Sequence, residues 1–206
     1  MSLELYQPLL PPFQLDYDNW SSQKAAEYLA WFVEQVPERT EYITKLISKE
    51  LRKPGLAKMA PRKKLRYVWR WFIKVAETEP VPEEELALLE PIRVKFGEQS
   101  GLYCTIQLTT RTEYVVRDIG MLFAQLLLEQ SECLSWSVVS KPERYVFVNR
   151  PILVGFLDTR FTPAFKAETD PIHLVRVQAS KALDDEPMSA MDLVKIYDTW
   201  SAWIPK

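Results

Sequence analysis

The chain has 206 residues, of which 47% are apolar and 26% charged, a globular composition that can bury a substantial core. Its formal net charge of −2 argues against a general nucleic-acid binder, because such proteins are normally basic. No uncharged apolar run reaches about 18 residues and no basic start precedes an apolar run, so we expect no membrane span, no signal peptide and a cytoplasmic location.

Residues 1–20 contain several prolines and predict an extended arm that leads into a helical region. Its apolar side chains are candidates for anchoring the arm to the rest of the protein: Leu5, Tyr6, Leu9, Leu10 and Phe13. Residues 21–51 then predict two amphipathic helices, because apolar side chains recur every three or four positions. Ser21 or Ser22 can cap the first helix, and Pro37 suits the first position of the second. We expect this pair to organise the chain.

A third helix is predicted over residues 61–77, with the same apolar spacing as the first. The corresponding positions are Tyr28 with Phe32 and Val68 with Phe72. Both apolar stripes are therefore expected to meet in one core.

Residues 77–90 are acidic and interrupted by prolines, which predicts a connector with one short helix over residues 82–89. We place a boundary here, between an N-terminal arm and helical part (residues 1–90) and an α+β part (residues 91–206). One continuous domain is the alternative, because a chain of this length fits either arrangement.

After residue 90 the apolar period changes from about 3.6 to 2, which is typical of strands. Five strands are expected, at residues 92–96, 102–108, 134–140, 145–157 and 172–178. The first two form a hairpin about a turn at residues 97–101, a second turn lies at residues 141–144, and Pro151 marks a bulge, an edge or a break in the fourth strand.

Between these strands, residues 110–113 read as a capping box that opens a helix through residue 127, and residues 119–128 read as a core helix. A last helix begins at Ser189. Short connections favour an antiparallel sheet with helices on one face. The predicted fold is α+β, with the N-terminal helical part packed on an antiparallel sheet of about five strands.

Patterns that indicate catalysis are sparse, and His173 is the single histidine of the chain. On the predicted strand it shares a face with Val175 and Val177, which favours a structural, half-buried histidine over a catalytic one. No glycine-rich phosphate loop or metal-ligand spacing is present, so no cofactor and no metal are expected. Cys104 and Cys133 are interpreted as buried free thiols.

Residues 45–74 hold eleven lysines or arginines against a single acid, Glu50. On the third predicted helix the basic residues recur every four positions and form a stripe: Arg62, Arg66, Arg70 and Lys74. One interpretation is a solvated helix face that is balanced by the acidic connector. The other is a docking patch for an acidic partner or for nucleic acid.

Several segments, in chain order, carry a family resemblance: residues 25–33 (AAEYLAWFV), 37–39 with Tyr42, 65–73 (LRYVWRWFI), 118–120 (DIG), 134–136 (LSW), 141–142, 148–156 (VNRPILVGF) and 171–175 (PIHLV). Together they resemble a family of uncharacterised bacterial proteins that is similar to the immunity proteins encoded beside polymorphic or contact-delivered toxins. The resemblance implies a cognate toxin as partner. It brings no catalytic residues with it.

These observations lead to the hypothesis of a non-catalytic immunity-type protein that binds and neutralises a cognate toxin domain by occlusion. Interface hot spots favour Trp, Tyr and Arg, so the candidate partner-binding residues are Trp31, Arg62, Arg66, Tyr67, Arg70, Trp71 and Lys74. Two alternatives stay open, a nucleic-acid-associated protein that uses the basic helix at residues 62–74 and an enzyme with dispersed acidic residues. No pattern in the sequence sets an oligomeric state.

Overall fold

The computed structural model describes residues 3–96, 104–142, 144–183 and 187–205, with the side chains of residues 92 and 96 left aside. These residues form six α-helices: α1 (Ser22–Glu50), α2 (Pro61–Val75), α3 (Glu83–Phe96), α4 (Thr110–Leu128), α5 (Pro171–Ala179) and α6 (Asp192–Ala202). They also form five short strands: β1 (Thr78–Pro80), β2 (Ile106–Leu108), β3 (Ser135–Ser137), β4 (Ile152–Asp158) and β5 (Phe165–Thr169). The mixed helix and sheet content confirms the α+β class.

The centre of the fold is α4, which is buried around most of its circumference. Thirteen of its 19 residues are buried, and α1, α2, α5 and α6 all pack against it. A helix that is apolar all round is typical of a core position. The core helix predicted at residues 119–128 is therefore confirmed, whereas the expectation that residues 21–51 organise the chain is wrong.

The two helices predicted within residues 21–51 are one continuous helix, α1, which runs through Pro37. Proline lacks an amide hydrogen and leaves the carbonyl four residues earlier without its helical partner. That carbonyl belongs to Val33, and both Val33 and Pro37 are exposed on the outer face of α1. Water can therefore bond the freed carbonyl, so the helix continues where a break was expected.

Side-chain caps set the starts of α1 and α4, and the sequence predicts both to within one residue. Ser21 caps α1 by accepting a hydrogen bond from the Lys24 amide at 3.2 Å, as one of the two predicted alternatives has it. For α4 the cap is Thr109, which accepts from the Thr112 amide at 3.2 Å, so the capping box starting at Thr110 is wrong.

The strands form two antiparallel sheets, not one sheet of about five strands. One contains β1 and β2, and the other has the order β3-β4-β5. The predicted hairpin is also wrong, because β2 pairs with β1, which lies in the predicted connector. The predicted turn at residues 97–101 lies outside the described residues, as do residues 143 and 184–186.

In the three-stranded sheet, β4 begins directly after Pro151 and reaches only from Ile152 to Asp158, so the strand predicted at residues 145–157 is shortened rather than broken into two strands. Its register shifts between Leu153 and Phe156. Gly155 occupies this irregularity with φ of 104°, and a Cβ atom there would lie 2.1 Å from the Cys133 carbonyl oxygen. The sheet therefore requires glycine at this position.

Two predicted strands are helices. Residues 172–178 belong to α5, whose buried side chains recur every four positions, at Pro171, Val175 and Ala179. Residues 92–96 complete α3, which extends the short helix predicted at residues 82–89. Acidic residues in the first turn of α3 and basic residues in its last complement the helix dipole, and this charge order outweighs a short alternation of apolar side chains.

Two clusters of buried side chains form the interior, so the two apolar stripes do not meet in one core. Phe32 and Tyr28 lie in a smaller cluster with Trp20 and Met121, while Phe72 lies in the larger one. The larger cluster draws residues from both sides of the boundary predicted after residue 90, and that position falls inside α3.

Replacing Phe32 or Phe72 by alanine should lower the free energy of unfolding by about 3–5 kcal/mol in each case, because both rings are fully buried. Urea denaturation measures this loss. Phe161, which is 58% exposed, is the control, and Phe161→Ala should change stability by about 0.5 kcal/mol or less. Wild-type stability in the Phe32 or Phe72 variant would show that the ring is not in a core.

Candidate functional site

An exposed basic surface, here called the basic face, extends over α2, the second half of α1 and the loop between them. The predicted stripe is confirmed as exposed, since Arg62, Arg66, Arg70 and Lys74 all lie at the surface. The basic face continues through further exposed side chains: Lys45, Lys49, Arg52, Lys53, Lys58 and Lys63. The helix that carries the stripe is rigidly seated, because Leu65, Trp69 and other side chains of its opposite side are fully buried.

Most of the basic face is not neutralised by acidic side chains. Arg62 lies 3.1 Å from Asp198, and Lys45 pairs with Glu41 one turn earlier. The remaining cations of this surface form no ion pair with any described residue. No described residue of the acidic connector forms an ion pair with the stripe, so the stripe is a solvated helix face whose charge is not neutralised by direct contact with the connector.

The three aromatic candidates differ in their accessibility. The expectation that Trp71 is exposed is wrong, because its ring is fully buried and its Nε1 donates to Glu50 Oε2 at 3.1 Å. Tyr67 is half-buried, with the Lys53 ammonium 5.8 Å from its ring centroid. Trp31 is half-buried beside Tyr28. Trp71 lies on the buried side of α2, and the spacing of the basic residues alone did not indicate this.

A second candidate site is a cleft between α4 and α5, on elements other than the basic face. The two helices approach so closely that a Cβ atom on Gly120 would lie 2.8 Å from Ile172 Cα. The outer part of the cleft has a volume of about 590 Å³, and its apolar lining includes Leu108, Tyr114 and Val177. We call this part the outer cleft.

Next to the outer cleft lies a smaller cavity of about 190 Å³, here called the inner pocket. The two share lining residues, so they adjoin along α4 and α5. Charged and polar side chains of four chain segments converge on the inner pocket: Tyr17, Glu113, Arg117, Arg150, Asp170, His173 and Arg176.

The carboxylates of the inner pocket are already engaged. Asp170 caps α5 by accepting from the amides of Ile172 at 2.8 Å and His173 at 3.0 Å. Burial raises the pKa of the Asp170 carboxyl, and these amides together with Arg150 oppose that shift. Glu113 pairs with Arg176 across the cleft at 3.0 Å.

His173 lies on α5 rather than on a strand, and its ring is half-buried. The Phe147 ring lies 5.8 Å from the imidazole, centroid to centroid. The histidine lines both the outer cleft and the inner pocket, and Val177, one helical turn later, lines the outer cleft with it, so the predicted shared face is wrong for Val175 only. Val175 is fully buried and Val177 is exposed, as their positions around a helix require.

A buried ion pair fixes the N-terminal arm beside this site. Arg39 of α1 and Asp118 of α4 form a bidentate pair, and the Tyr6 hydroxyl donates to Asp118 Oδ2 at 2.8 Å. Burial raises the pKa of Tyr6, so the phenol remains a donor. Arg39 also donates to the Gln7 carbonyl at 2.9 Å, and Arg117 donates to the carbonyl of Leu9. The arm then continues to Tyr17 in the inner pocket.

The sequence patterns did not point to Arg117 or Arg150. For Arg117 a signal was present, because Arg117 and Asp118 directly precede the predicted core helix at residues 119–128 and lie within the longer helix predicted to run to residue 127. A charged residue in such a position is rarely buried without a role. Arg150 lies between strands in a short turn, where an arginine is ordinary and no pattern distinguishes it.

The described cysteines form no disulfide and the described acidic side chains form no metal-binding cluster. Both cysteines are free, and Cys133 is exposed, so the expectation that both thiols are buried is wrong. Within the described ranges, no group of three His, Cys, Asp or Glu side chains is placed to hold a metal ion.

The close approach of α4 and α5 makes Gly120 the most constrained position of the cleft. Gly120→Ala should lower the free energy of unfolding by about 1–3 kcal/mol, since the new methyl group meets the Ile172 backbone. Gly55→Ala is the matched control, because a Cβ atom added there would have no other atom within 4 Å and the change should stay within about 1 kcal/mol. Equal stability of the two variants in thermal melts would contradict this packing.

Comparison with known proteins leaves the chain without an assigned family. No protein-family model matches the sequence, and neither curated proteins nor solved structures give a significant match. Among the helices formed by the described residues, none has the length and apolar character needed to cross a membrane. Function therefore rests on the two surfaces described above and on the resemblance found in the sequence.

Proposed function

We propose that this chain is a non-catalytic binding protein of the immunity type, which docks its basic face on an acidic surface of a toxin domain and blocks that domain by occlusion. The observation that carries the proposal is the row of exposed cations on α2 and the end of α1, of which only Arg62 and Lys45 form an ion pair with a described residue. The toxin as partner comes from the sequence resemblance alone.

An unpaired basic surface favours an acidic partner for electrostatic reasons. Complementary charge steers two proteins together and raises the association rate, while like charges across an interface cost several kcal/mol. The cations are exposed, so leaving them unpaired in the free protein costs little. Helix α2, which bears these cations, is held in place by its fully buried side chains, so the surface is preorganised for docking.

The basic face combines arginines, which can make polar contacts, with an aromatic ring next to them. Arg66 and Arg70 are fully available, because neither forms an ion pair with a described residue, and Tyr67 lies between them in sequence. Arg62 is less available, since it already lies against Asp198. We therefore assign the centre of the interface to the part of α2 around Arg66 and Arg70.

Reversing the charge at this centre, with Arg66→Glu and Arg70→Glu together, should slow association with the partner by roughly tenfold or more at low salt. The fold should survive, because both side chains point away from the core. The partner to use is the product of the adjacent gene, co-purified first and then measured by stopped-flow or surface plasmon resonance.

The matched control is Arg144→Glu with Lys166→Glu, which makes the same change in net charge at two exposed positions outside the basic face. This control should associate at close to the wild-type rate. Equal slowing in both double variants would indicate a general charge effect, and undiminished association of the α2 variant would remove the basic face from the interface.

Occlusion also predicts the stoichiometry of protection. Toxin activity should fall linearly with added protein and reach its minimum near one equivalent, because each toxin domain needs its own bound inhibitor. Titration of toxin activity at concentrations well above Kd measures this endpoint. Full protection by far less than one equivalent would require turnover and would support the enzyme alternative.

Nucleic acid is the other acidic polymer that a basic face can bind. Each phosphate contact on duplex DNA contributes a slope of about −0.9 to the dependence of log affinity on log salt. Titration of a mixed-sequence duplex over a range of salt concentrations separates the two interpretations. Tight binding with a slope that Arg66→Glu and Arg70→Glu reduce would replace the toxin partner by nucleic acid.

A further inference from the structure

We propose that the inner pocket binds the oxyanion group of a small organic molecule, a carboxylate or a phosphate monoester, whose apolar body lies in the outer cleft. This site is formed by α4, α5, the N-terminal arm and the turn before β4. It shares no residue with the basic face, so it stands independently of the docking function proposed above.

The first observation is a buried guanidinium with free donors. Arg117 is only 6% exposed and lines the inner pocket. Its Nη2 donates to the Leu9 carbonyl, whereas its Nε and Nη1 have no hydrogen-bond partner among the described residues. A buried charged donor without an acceptor is unfavourable, and nearly all such groups in proteins are bonded. Because Arg117 lines the inner pocket, we assign a bound oxyanion as the acceptor that its guanidinium lacks.

The second observation is a second guanidinium in the same cavity. Arg150 lines the inner pocket as well, and its buried Nε has no hydrogen-bond partner among the described residues. Its nearest carboxylate contact is long, with 3.9 Å between Nη1 and Asp170 Oδ2. Two guanidiniums that line one cavity, each with an unsatisfied N–H group, suit the recognition of carboxylate and phosphate oxygens.

The charges around the inner pocket leave an excess of positive charge. Three arginines line it, Arg117, Arg150 and Arg176, against the two carboxylates of Glu113 and Asp170. Both carboxylates are already engaged, one by Arg176 and the other by the first amides of α5. The unmatched charge is therefore assigned to Arg117, which forms no ion pair with a described residue and has two unsatisfied nitrogens.

The donors are also held in place before any ligand arrives. The Arg117 guanidinium lies 4.9 Å from the Tyr114 ring centroid, and that of Arg150 lies 5.1 Å from the Tyr17 ring centroid. Such cation–π contacts fix the plane of each guanidinium. Binding would therefore order few additional side chains, which lowers its entropic cost.

Size and lining define the rest of the ligand. The inner pocket of about 190 Å³ suits a single oxyanion group, and the outer cleft of about 590 Å³ is within the range of small-molecule sites. The outer cleft offers apolar surface from Leu108, Val177 and Leu183 together with the Tyr114 ring. A ligand with its anionic group in the inner pocket and an aromatic or aliphatic body in the outer cleft fits these two cavities.

The experiment uses phenyl phosphate and benzoate as probes, with inorganic phosphate as the anionic group alone and sodium chloride to match ionic strength. Isothermal titration of the full chain should give saturable binding of one molecule per chain. Phenyl phosphate should bind more tightly than inorganic phosphate, because only the former reaches the outer cleft. The stronger of the two aromatic probes identifies phosphate or carboxylate as the preferred group.

Arg150→Met and Arg117→Met should each weaken binding by roughly tenfold or more, as expected for the loss of hydrogen bonds to a charged group. Arg66→Met, on the basic face, is the matched control and should bind like the wild type. Because Arg117 also holds the arm through Leu9, Arg117→Met is first checked for native thermal unfolding. If Arg117→Met does not fold, the inference is tested with Arg150→Met alone.

A measurement on the wild-type protein completes the test. The arginine Nε–H resonances of Arg117 and Arg150 should shift on titration with the tightest probe, while that of Arg66 stays in place. The proposal is overturned if no probe binds beyond the matched chloride control. It is equally overturned if Arg66→Met weakens binding as much as the pocket variants, or if the pocket arginine resonances do not move.

Discussion

The ion pair between Arg39 and Asp118 is the interaction on which the rest of the structure depends. It joins α1 to the central helix α4 at a point where Asp118 is fully buried. A buried pair is favourable only when its remaining lone pairs and protons are satisfied, and removal of one partner commonly costs about 3–5 kcal/mol. Here the N-terminal arm completes the set, through the Tyr6 hydroxyl and the Gln7 carbonyl. The arm therefore completes the hydrogen bonding of the pair, and the pair in turn is one of the contacts that fix the arm.

This arrangement explains how a proline-rich arm becomes part of the functional architecture. Arg117, one residue earlier on α4, also links this helix to the arm, because it donates a hydrogen bond to the Leu9 carbonyl. Tyr17, at the end of the arm, closes one side of the inner pocket beside Arg150. The pocket thus depends on contacts between segments that are distant in the chain, since Arg117 and Leu9 are 108 positions apart.

The sequence predicts the helical elements well where their apolar period is long. The helix over α2, the core helix α4 and the last helix were all expected, because three or more turns of spacing identify the buried face. Short patterns failed, since three or four alternating apolar residues at 92–96 and 172–178 fit a helix as well as a strand. Tertiary contacts decide between the two, and for α5 the deciding contact is Ile172 against Gly120.

The candidate sites follow the same rule. The basic stripe is a local pattern on one helix, so its exposure follows from the helical period, whereas the inner pocket has no local pattern because its arginines come from α4 and from a distant turn.

The two clusters of cations also differ in the cost of leaving them unpaired, and this difference separates their roles. Exposed cations such as Arg66 and Arg70 are solvated and screened over a Debye length of about 8 Å at physiological salt. They favour a large partner that arrives under a salt-sensitive attraction. Arg117 and Arg150 present buried N–H groups that solvent does not reach, so their interactions are screened far less. They favour a small anionic group that is bound within the protein. One chain can therefore carry a docking surface and a ligand pocket that respond to salt in different ways.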